Sequence, residues 1–387
     1  MKHLVAESFG DKRGGNAPKI KYVLLEDNEP YAQGEYDEGE FKSGDVVAAA
    51  VRDRLPNVRG YFCEIGDSRT AFLPCEKYKT GDFVLLQVKN GQRDTKGAEV
   101  SDVISFAGRF CAVEFVPSEK NSENNNFKVL VSKKITEKAI VSEIKEIAIS
   151  IFEKAKESGL EKYSVNVILR TELGSCERPI ERFTSEFSYF TERFLKCNKA
   201  FSENYNDRKS GKLQNINFLE YLNKIYRTAC FDEITVSDGN TVSAVMEANA
   251  LFRDNLRIIP ESKNDYSLFT LINGAKKLPT LLGRVVHLKS GGEIVIEKTE
   301  AMTVIDVNVA KSRLSHQELN LEAADEIMRQ LMLRNIGGIV ICDFINVTEA
   351  HGEILVAKLR ELSENDYSKC EVLGLTRLGL VEICRKR

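Results

Sequence analysis

The chain has 387 residues, 42% of them apolar and 29% charged, with a formal net charge of −3. That length builds several domains around substantial cores, and so even a charge balance neither demands nor forbids a nucleic-acid partner, because an acidic protein can carry a basic groove. No apolar run nears the ~18 residues of a membrane helix, and Met1 to Ser8 lacks the apolar centre of a signal peptide, so no membrane partner and a cytoplasmic location are expected.

The first forty residues hold a glycine-rich stretch, Gly10 to Gly15, and then a hairpin pattern. Lys19–Leu25 and Tyr31–Tyr36 flank a turn at Asp27–Pro30. Short strands then recur: Asp45–Val51, Gly60–Ile65, Arg69–Pro74, Phe83–Val88, Val100–Phe106 and Phe110–Phe115. Turn residues at Gly66-Asp67-Ser68, Lys79–Asp82 and Gly91 separate them, the pattern of a small barrel or sandwich. Arg59, Arg69, Arg93 and Lys96 are interleaved with Tyr61, Phe62, Phe72 and Phe83. Those rings are either core or a stacking face for bases with cations for phosphate.

A polar loop, Pro117 to Asn126, ends that unit. A helix is predicted over Glu137–Ser158, with Ile140, Ile144, Ile147 and Ile151 on one face. The strand Tyr163–Arg170 and a turn at Gly174 follow. A second helix, Ile180–Phe201, carries Phe183, Phe187, Phe190 and Phe194 as a packing stripe. Ser202–Gln214 reads as a loop, and Phe218–Pro260 alternates helix and strand patterns, among them strands at Glu233–Val236 and Arg257–Ile259 and a helix at Val242–Asn255.

The last third is the most regular. Strands are predicted at Glu293–Glu297, Met302–Asn308, Ile339–Ile345 and Glu371–Leu375, and helices at Glu318–Arg334 and His351–Ser363. Leu321, Ala324, Met328 and Leu331 form one face of the first of these helices, and Gly337-Gly338 is expected to end it in the left-handed conformation.

Two of those strands each contain a carboxylate, Asp306 and Asp343. Burying an unpaired carboxylate in an apolar β-branched run is costly, which points to a cation between them. Residues two apart on a strand share a face, so Asp306 and Asn308 converge. Asp343 follows Asp306 by 37 positions and one helix, a spacing that lets the two strands be neighbours. An all-oxygen set of this kind suits magnesium, for which manganese can substitute. Lys311 and Arg313 in the loop after Asn308, with Arg377 and Arg385 further on, suit phosphate, as for metal-assisted phosphodiester hydrolysis. The bland reading is that each Asp caps a loop or pairs with an Arg. The four histidines and nine scattered cysteines contribute no Cys-x-x-Cys pair, and no P-loop, dinucleotide fingerprint or Gly-x-Ser-x-Gly elbow is present.

The runs Met302–Asn308, Asn320–Ile327, Arg329–Arg334 and Gly337–Ile345, with the ending Thr376–Glu382, together resemble the ribonuclease E/G family. The resemblance is strongest over Leu288–Arg387 and collinear upstream. It implies a magnesium-dependent endoribonuclease that cuts single-stranded RNA to 5′-monophosphate and 3′-hydroxyl ends. The family's metal-binding and supporting positions fall on Asp306, Asp343 and Asn308, and Lys311 stands where the family has Arg. Its RNA-contacting positions in an OB barrel fall on Phe62, Phe72 and Lys96, and its 5′-monophosphate pocket falls on Arg170 and Thr171.

The implied architecture is a multidomain α/β chain. A split ribonuclease-H-like fold occupies 1–43 and 215–278, an OB-fold barrel 44–116, a 5′-sensor 117–214 and a deoxyribonuclease-I-like catalytic domain 279–387. The family's Cys-Pro-x-Cys zinc link is absent from this sequence, so no zinc and no zinc-linked tetramer are expected, which leaves room for a homodimer through the catalytic domain. The rival readings are an RNA-binding protein of the same family without nuclease activity, and a deoxyribonuclease.

Overall fold

The computed structural model describes residues 1–9, 19–54, 59–91, 97–118, 127–135, 137–226, 231–236, 256–258 and 278–386. The chain is mixed α/β and divides into two compact units, Glu38–Lys224 and Met1–Asp37 with Ile225–Arg387. The expected helix at 242–255 lies outside the described residues.

In the Glu38–Lys224 unit, Val46–Arg54, Tyr61–Gly66, Arg69–Leu73, Ala98–Ser101 and Phe83–Asn90 pair in that order. The last pairs back onto the first, closing a five-stranded barrel, and Gly211–Gln214 adds to Val46–Arg54 as an extra strand. Closure leaves few backbone groups unpaired at edges. The side chains alternate: Tyr61, Cys63, Ile65, Ala71 and Leu73 are buried inside, and Phe62, Glu64 and Phe72 face outward.

The predicted strand 100–106 is broken in two by a turn at Asp102 and Val103. The Asp102 carboxylate accepts the Tyr78 hydroxyl proton at 2.9 Å, and the Val103 amide donates to Ser101 Oγ at 3.1 Å. The second half, Ile104–Ala107, pairs with Cys111–Pro117 rather than with the barrel. Those two strands join Tyr163–Leu169 and Phe127–Val131 in a separate four-stranded sheet. The reason is apolar: Phe106 stacks on Phe190, with ring centroids 5.8 Å apart, and Phe115 on Phe194 at 4.0 Å.

Helices Lys138–Ala155 and Pro179–Tyr205 pack on this sheet through Ile144, Ala148 and Phe152 and through the whole Phe183, Phe187, Phe190, Phe194 stripe. Pro179 opens the longer helix with its φ already set for it. Each such buried ring contributes roughly 1.5–3 kcal/mol over exposure, and Phe194→Ala would leave a void costing about 3–5 kcal/mol.

The other unit begins with the predicted hairpin. Lys19–Glu26 and Glu29–Asp37 join through Asp27 and Asn28, both with positive φ (50° and 66°), the two-residue turn that matches strand twist. Lys2–Phe9 pairs with the first hairpin strand, and Glu233–Val236 and Leu256–Ile258 extend the sheet in parallel.

The second sheet of this unit has six strands in the order Val285–His287, Glu293–Lys298, Met302–Asn308, Gly338–Asp343, Val381–Arg385, Cys370–Leu375. Helices His316–Leu333 and Glu349–Ser363 bury Leu319, Ala323, Ile327, Leu355 and Leu359 with Ile305, Val307, Val340 and Cys342. The first helix starts in a reciprocal cap: Glu318 N donates to Ser315 Oγ at 3.3 Å and Ser315 N to Glu318 Oε2 at 3.0 Å. Its left-handed terminal residue is Asn335 (φ 48°), not the Gly337-Gly338 pair; Gly338 (φ 95°) instead opens the following strand. Within this sheet, Val285–His287 and Val381–Arg385 have no counterpart among the predicted elements.

Candidate active site and nucleic-acid interface

Met302–Asn308 and Gly338–Asp343 run parallel, and their register sets Asp306 directly beside Asp343. Thr303, Ile305 and Val307 point into the helix-covered core, so Asp306 and Asn308 occupy the other face. That face is open: Asp306, Asn308 and Asp343 are all exposed. Asn308 Nδ2 donates to Asp306 Oδ2 at 2.8 Å. Among the described residues neither carboxylate pairs with a Lys or Arg, and Asp343 has no hydrogen-bond partner through its side chain. The loop-cap and Arg-pair readings therefore lose their partners.

Sheet register also gathers cations at the carboxylate end. The loop after Asn308 carries Lys311 and Arg313, both exposed. Lys311 N donates to Gly291 O at 2.9 Å, and a Cβ on Gly291 (φ 92°) would lie 3.2 Å from the Lys311 carbonyl carbon, so glycine lets that loop sit close. Cys342 pairs with Val381, which brings the Thr376–Gly379 turn and exposed Arg377 to the same end. Arg385 does not belong with them. It pairs with Gly338 at the opposite end, is 1% exposed, and donates twice to Asp366, from Nε at 2.7 Å and from Nη2 at 2.8 Å.

Sequence reasoning overlooked Asn320. It is buried beneath the loop that follows Asp343, donating to Ile345 O at 2.8 Å and accepting from Ile345 N at 3.0 Å. A buried Asn on an otherwise apolar helix face was the available signal. Asn346 and His316, 3.1 Å apart, sit at that same loop and helix start.

On the barrel, Phe62 and Phe72 are register partners on the outer surface, half-exposed, with ring centroids 6.1 Å apart at 67°. A Cβ on Gly60 would meet the Phe72 ring at 2.6 Å, so glycine there makes space for it. Tyr61 and Phe83 are core. The core reading thus holds for Tyr61 and Phe83, while Phe62 and Phe72 lie on the outer surface. Lys96 and Arg93 lie outside the described residues.

Arg170 and Thr171 follow the Tyr163–Leu169 strand. Arg170 Nη1 donates to Gly108 O, and Thr171 Oγ1 lies 3.1 Å from Ser132 Oγ. The loop bearing Gly108 is held by Glu186, a second residue that sequence reasoning missed. Its buried carboxylate accepts from the amides of Arg109, Phe110 and Cys111 at 2.7–2.8 Å. Burial raises the Glu186 pKa, and the three N–H donors offset part of that rise. The signal was a Glu inside the phenylalanine stripe.

The family model for the ribonuclease E/G family matches residues 105–387, which include both carboxylates and Arg170-Thr171. The chain belongs to that family. It is 27% identical to ribonuclease G of Salmonella typhimurium (strain SL1344) over 381 residues, 89% of this chain and 72% of that protein. Ribonuclease G of Escherichia coli (strain K12) is likewise 27% identical over 389 residues. Ribonuclease E of Buchnera aphidicola (subsp. Schizaphis graminum) is 25% identical over 386 residues, and the chain spans only 37% of its length.

The residues at the open face fit a hard cation. Two unpaired carboxylates and an amide present only oxygen ligands and one orienting N–H, without the thiols or imidazoles that softer ions prefer. Among the described residues no group of three or more His, Cys, Asp or Glu that could hold a metal ion is found, so the open face offers two carboxylates. No described helix is long and apolar enough to cross a membrane.

Proposed function

We propose that this chain is an endoribonuclease that cleaves single-stranded RNA during RNA processing or decay, leaving 5′-monophosphate and 3′-hydroxyl ends. The observation that carries the reading is the lateral pairing of Asp306 with Asp343 on an open sheet face, without a cationic partner among the described residues, in a member of the ribonuclease E/G family. The substrate class comes from the names of the related ribonucleases G and E.

In this reading Asp306 and Asp343 hold magnesium, for which manganese can substitute. The bound ion supplies charge stabilisation at a phosphoryl oxygen and a more acidic water. Asn308 fixes the Asp306 carboxylate through its amide hydrogen bond. Lys311, Arg313 and Arg377 counter the charge of phosphates near the scissile bond. Phe62 and Phe72 stack bases, assisted by Lys96. Arg170 and Thr171 receive a 5′-monophosphate, since a guanidinium anchored at one nitrogen keeps further donors for phosphate oxygens. We read the barrel as an OB fold, the first sheet as ribonuclease-H-like and the last as deoxyribonuclease-I-like.

The deciding experiment incubates purified protein with labelled single-stranded RNA and with DNA of the same sequence, with magnesium or EDTA, beside Asp343→Ala. Magnesium-dependent RNA cleavage absent from the variant is expected. Tight RNA binding without cleavage would make the chain a binding protein instead. For the sensor, RNA with a 5′-monophosphate should be cut faster than RNA with a 5′-hydroxyl, and Arg170→Ala should equalise the two. Equal wild-type rates would remove that role.

A further inference from the structure

A cleft of about 900 Å³ opens between the C-terminal half of the Pro179–Tyr205 helix, the wide π-helical turn Lys156–Leu160 and the start of the Tyr163–Leu169 strand. None of the residues assigned above to RNA lines it. Its helical wall presents Lys196, Lys199, Ser202 and Tyr205 at successive three-residue steps, a ridge that winds obliquely along the helix. At 1.5 Å per residue the ridge spans about 14 Å, room for more than one nucleotide.

Lys162 lines the cleft from the strand side. All three lysines are exposed, and none pairs with a carboxylate among the described residues. Glu157 and Glu161 also line it, from the turn, leaving the helical wall as the cationic side. The floor is braced: Asn198 Nδ2 donates to Gly159 O at 3.2 Å, and Tyr163 OH donates to Asn198 Oδ1 at 3.4 Å.

The aromatic end of the ridge joins the cleft to the barrel within the same unit. Phe201 stacks on Phe83 of the Phe83–Asn90 barrel strand, 5.4 Å between centroids and 9° from parallel. Tyr205 meets Phe83 edge-on at 6.0 Å yet remains 50% exposed. Arg208 Nη1 donates to Gly81 O at 2.8 Å just before that strand. An exposed ring beside unpaired cations in a braced concavity suits a base and its flanking phosphates.

We propose that this cleft is a second binding site for single-stranded RNA, taking phosphates on Lys162, Lys196 and Lys199 and a base on Tyr205, beyond the segment held at Phe62 and Phe72. The proposal rests on the RNA-substrate reading above. It differs from it in predicting a dependence on RNA length.

The test measures binding by fluorescence anisotropy in EDTA, where cleavage plays no part, with single strands of about 8 and about 24 nucleotides; the shorter lies within the site size of one barrel. Lys196→Glu with Lys199→Glu should weaken the longer RNA about tenfold and reduce the slope of log affinity against log salt by about 1.4, at ~0.7 for each phosphate no longer neutralised. The shorter RNA should change less than twofold. Tyr205→Ala should weaken the longer RNA about five- to tenfold, with Tyr205→Phe restoring it. Lys196→Arg with Lys199→Arg should bind like wild type. Circular dichroism and a urea midpoint check that each variant is folded.

Unchanged affinity and salt slope for the longer RNA would overturn the proposal and give the cleft to a different partner, such as a protein segment. Equal weakening of both lengths would also overturn it, as a general charge effect. Wild-type protein that shows the length dependence but never cleaves would refute the nuclease reading alone. Cleavage without the length dependence would refute this one alone.

Discussion

Arg385 and Asp306 both stand in short apolar strands of one six-stranded sheet, and their local sequences look alike. The structure gives them opposite environments. Arg385 lies at the end where Gly338 begins its strand, buried against Asp366, the Ile336 carbonyl at 2.8 Å and the Tyr367 ring. Burial by itself would lower its pKa, and the bond to Asp366 outweighs that, leaving it above the ordinary value. Asp306 lies toward the other end, exposed, beside a second carboxylate and, among the described residues, with only an Asn amide for a partner. A charge whose donors and acceptors are matched inside the protein is architecture; like charges left adjacent and unmatched mark a place for a ligand.

Substitutions at the two sites should exchange activity for stability. Asp343→Ala should lose a thousandfold or more in cleavage rate, the equivalent of the several kcal/mol supplied by metal charge stabilisation. Its urea midpoint should stay near wild type, because the Asp343 carboxylate is exposed and has no hydrogen-bond or ion-pair partner among the described residues. Asp366→Ala should do the reverse, costing about 3–5 kcal/mol in urea unfolding by leaving a buried guanidinium unpaired. A large stability loss in Asp343→Ala would mean that its carboxylate has a structural partner after all.

The barrel offers the same contrast with smaller effects. Phe62→Ala or Phe72→Ala should weaken single-stranded RNA binding by about 1–3 kcal/mol, read by anisotropy, with little change in melting temperature. Leu73→Ala, one residue along but pointing inward, should cost about 2–5 kcal/mol of stability. If the Phe variants unfold the barrel, their rings belong to its core.

Glu186 supplies the mildest test. It is a buried carboxylate satisfied by backbone N–H groups instead of a cation. Its folded-state pKa is raised above 4.5, so as pH falls the native state takes up the proton first. Stability should therefore decline as pH rises from about 4.5 through the raised folded value, then level off. Glu186→Gln should abolish that slope and cost about 1–3 kcal/mol at neutral pH, because an amide nitrogen then faces backbone donors. A slope that survives in the variant belongs to another group.

Elements with strong internal periodicity were legible from the chain alone. The phenylalanine stripe, the Asp27-Asn28 hairpin and the Met302–Asn308 strand stand where their patterns put them, because a helical or alternating burial pattern is written in consecutive residues. Ile104–Ala107 and Cys111–Pro117 read as barrel strands in the sequence because alternation says which side of a strand is apolar, not which sheet it joins. Rings on the Pro179–Tyr205 helix, far along the chain, decided that.

The carboxylate pair shows the same division. That Asp306 and Asn308 share a face, and that Asp343 lies one strand–helix–strand unit away, follows from backbone geometry and spacing and can be read along the chain. That the face is open, that Asp306 stands beside Asp343, and that Arg385 is paired with Asp366 at the far end emerges on folding alone. Register and burial arise from contacts between segments distant in sequence, and no local pattern encodes them.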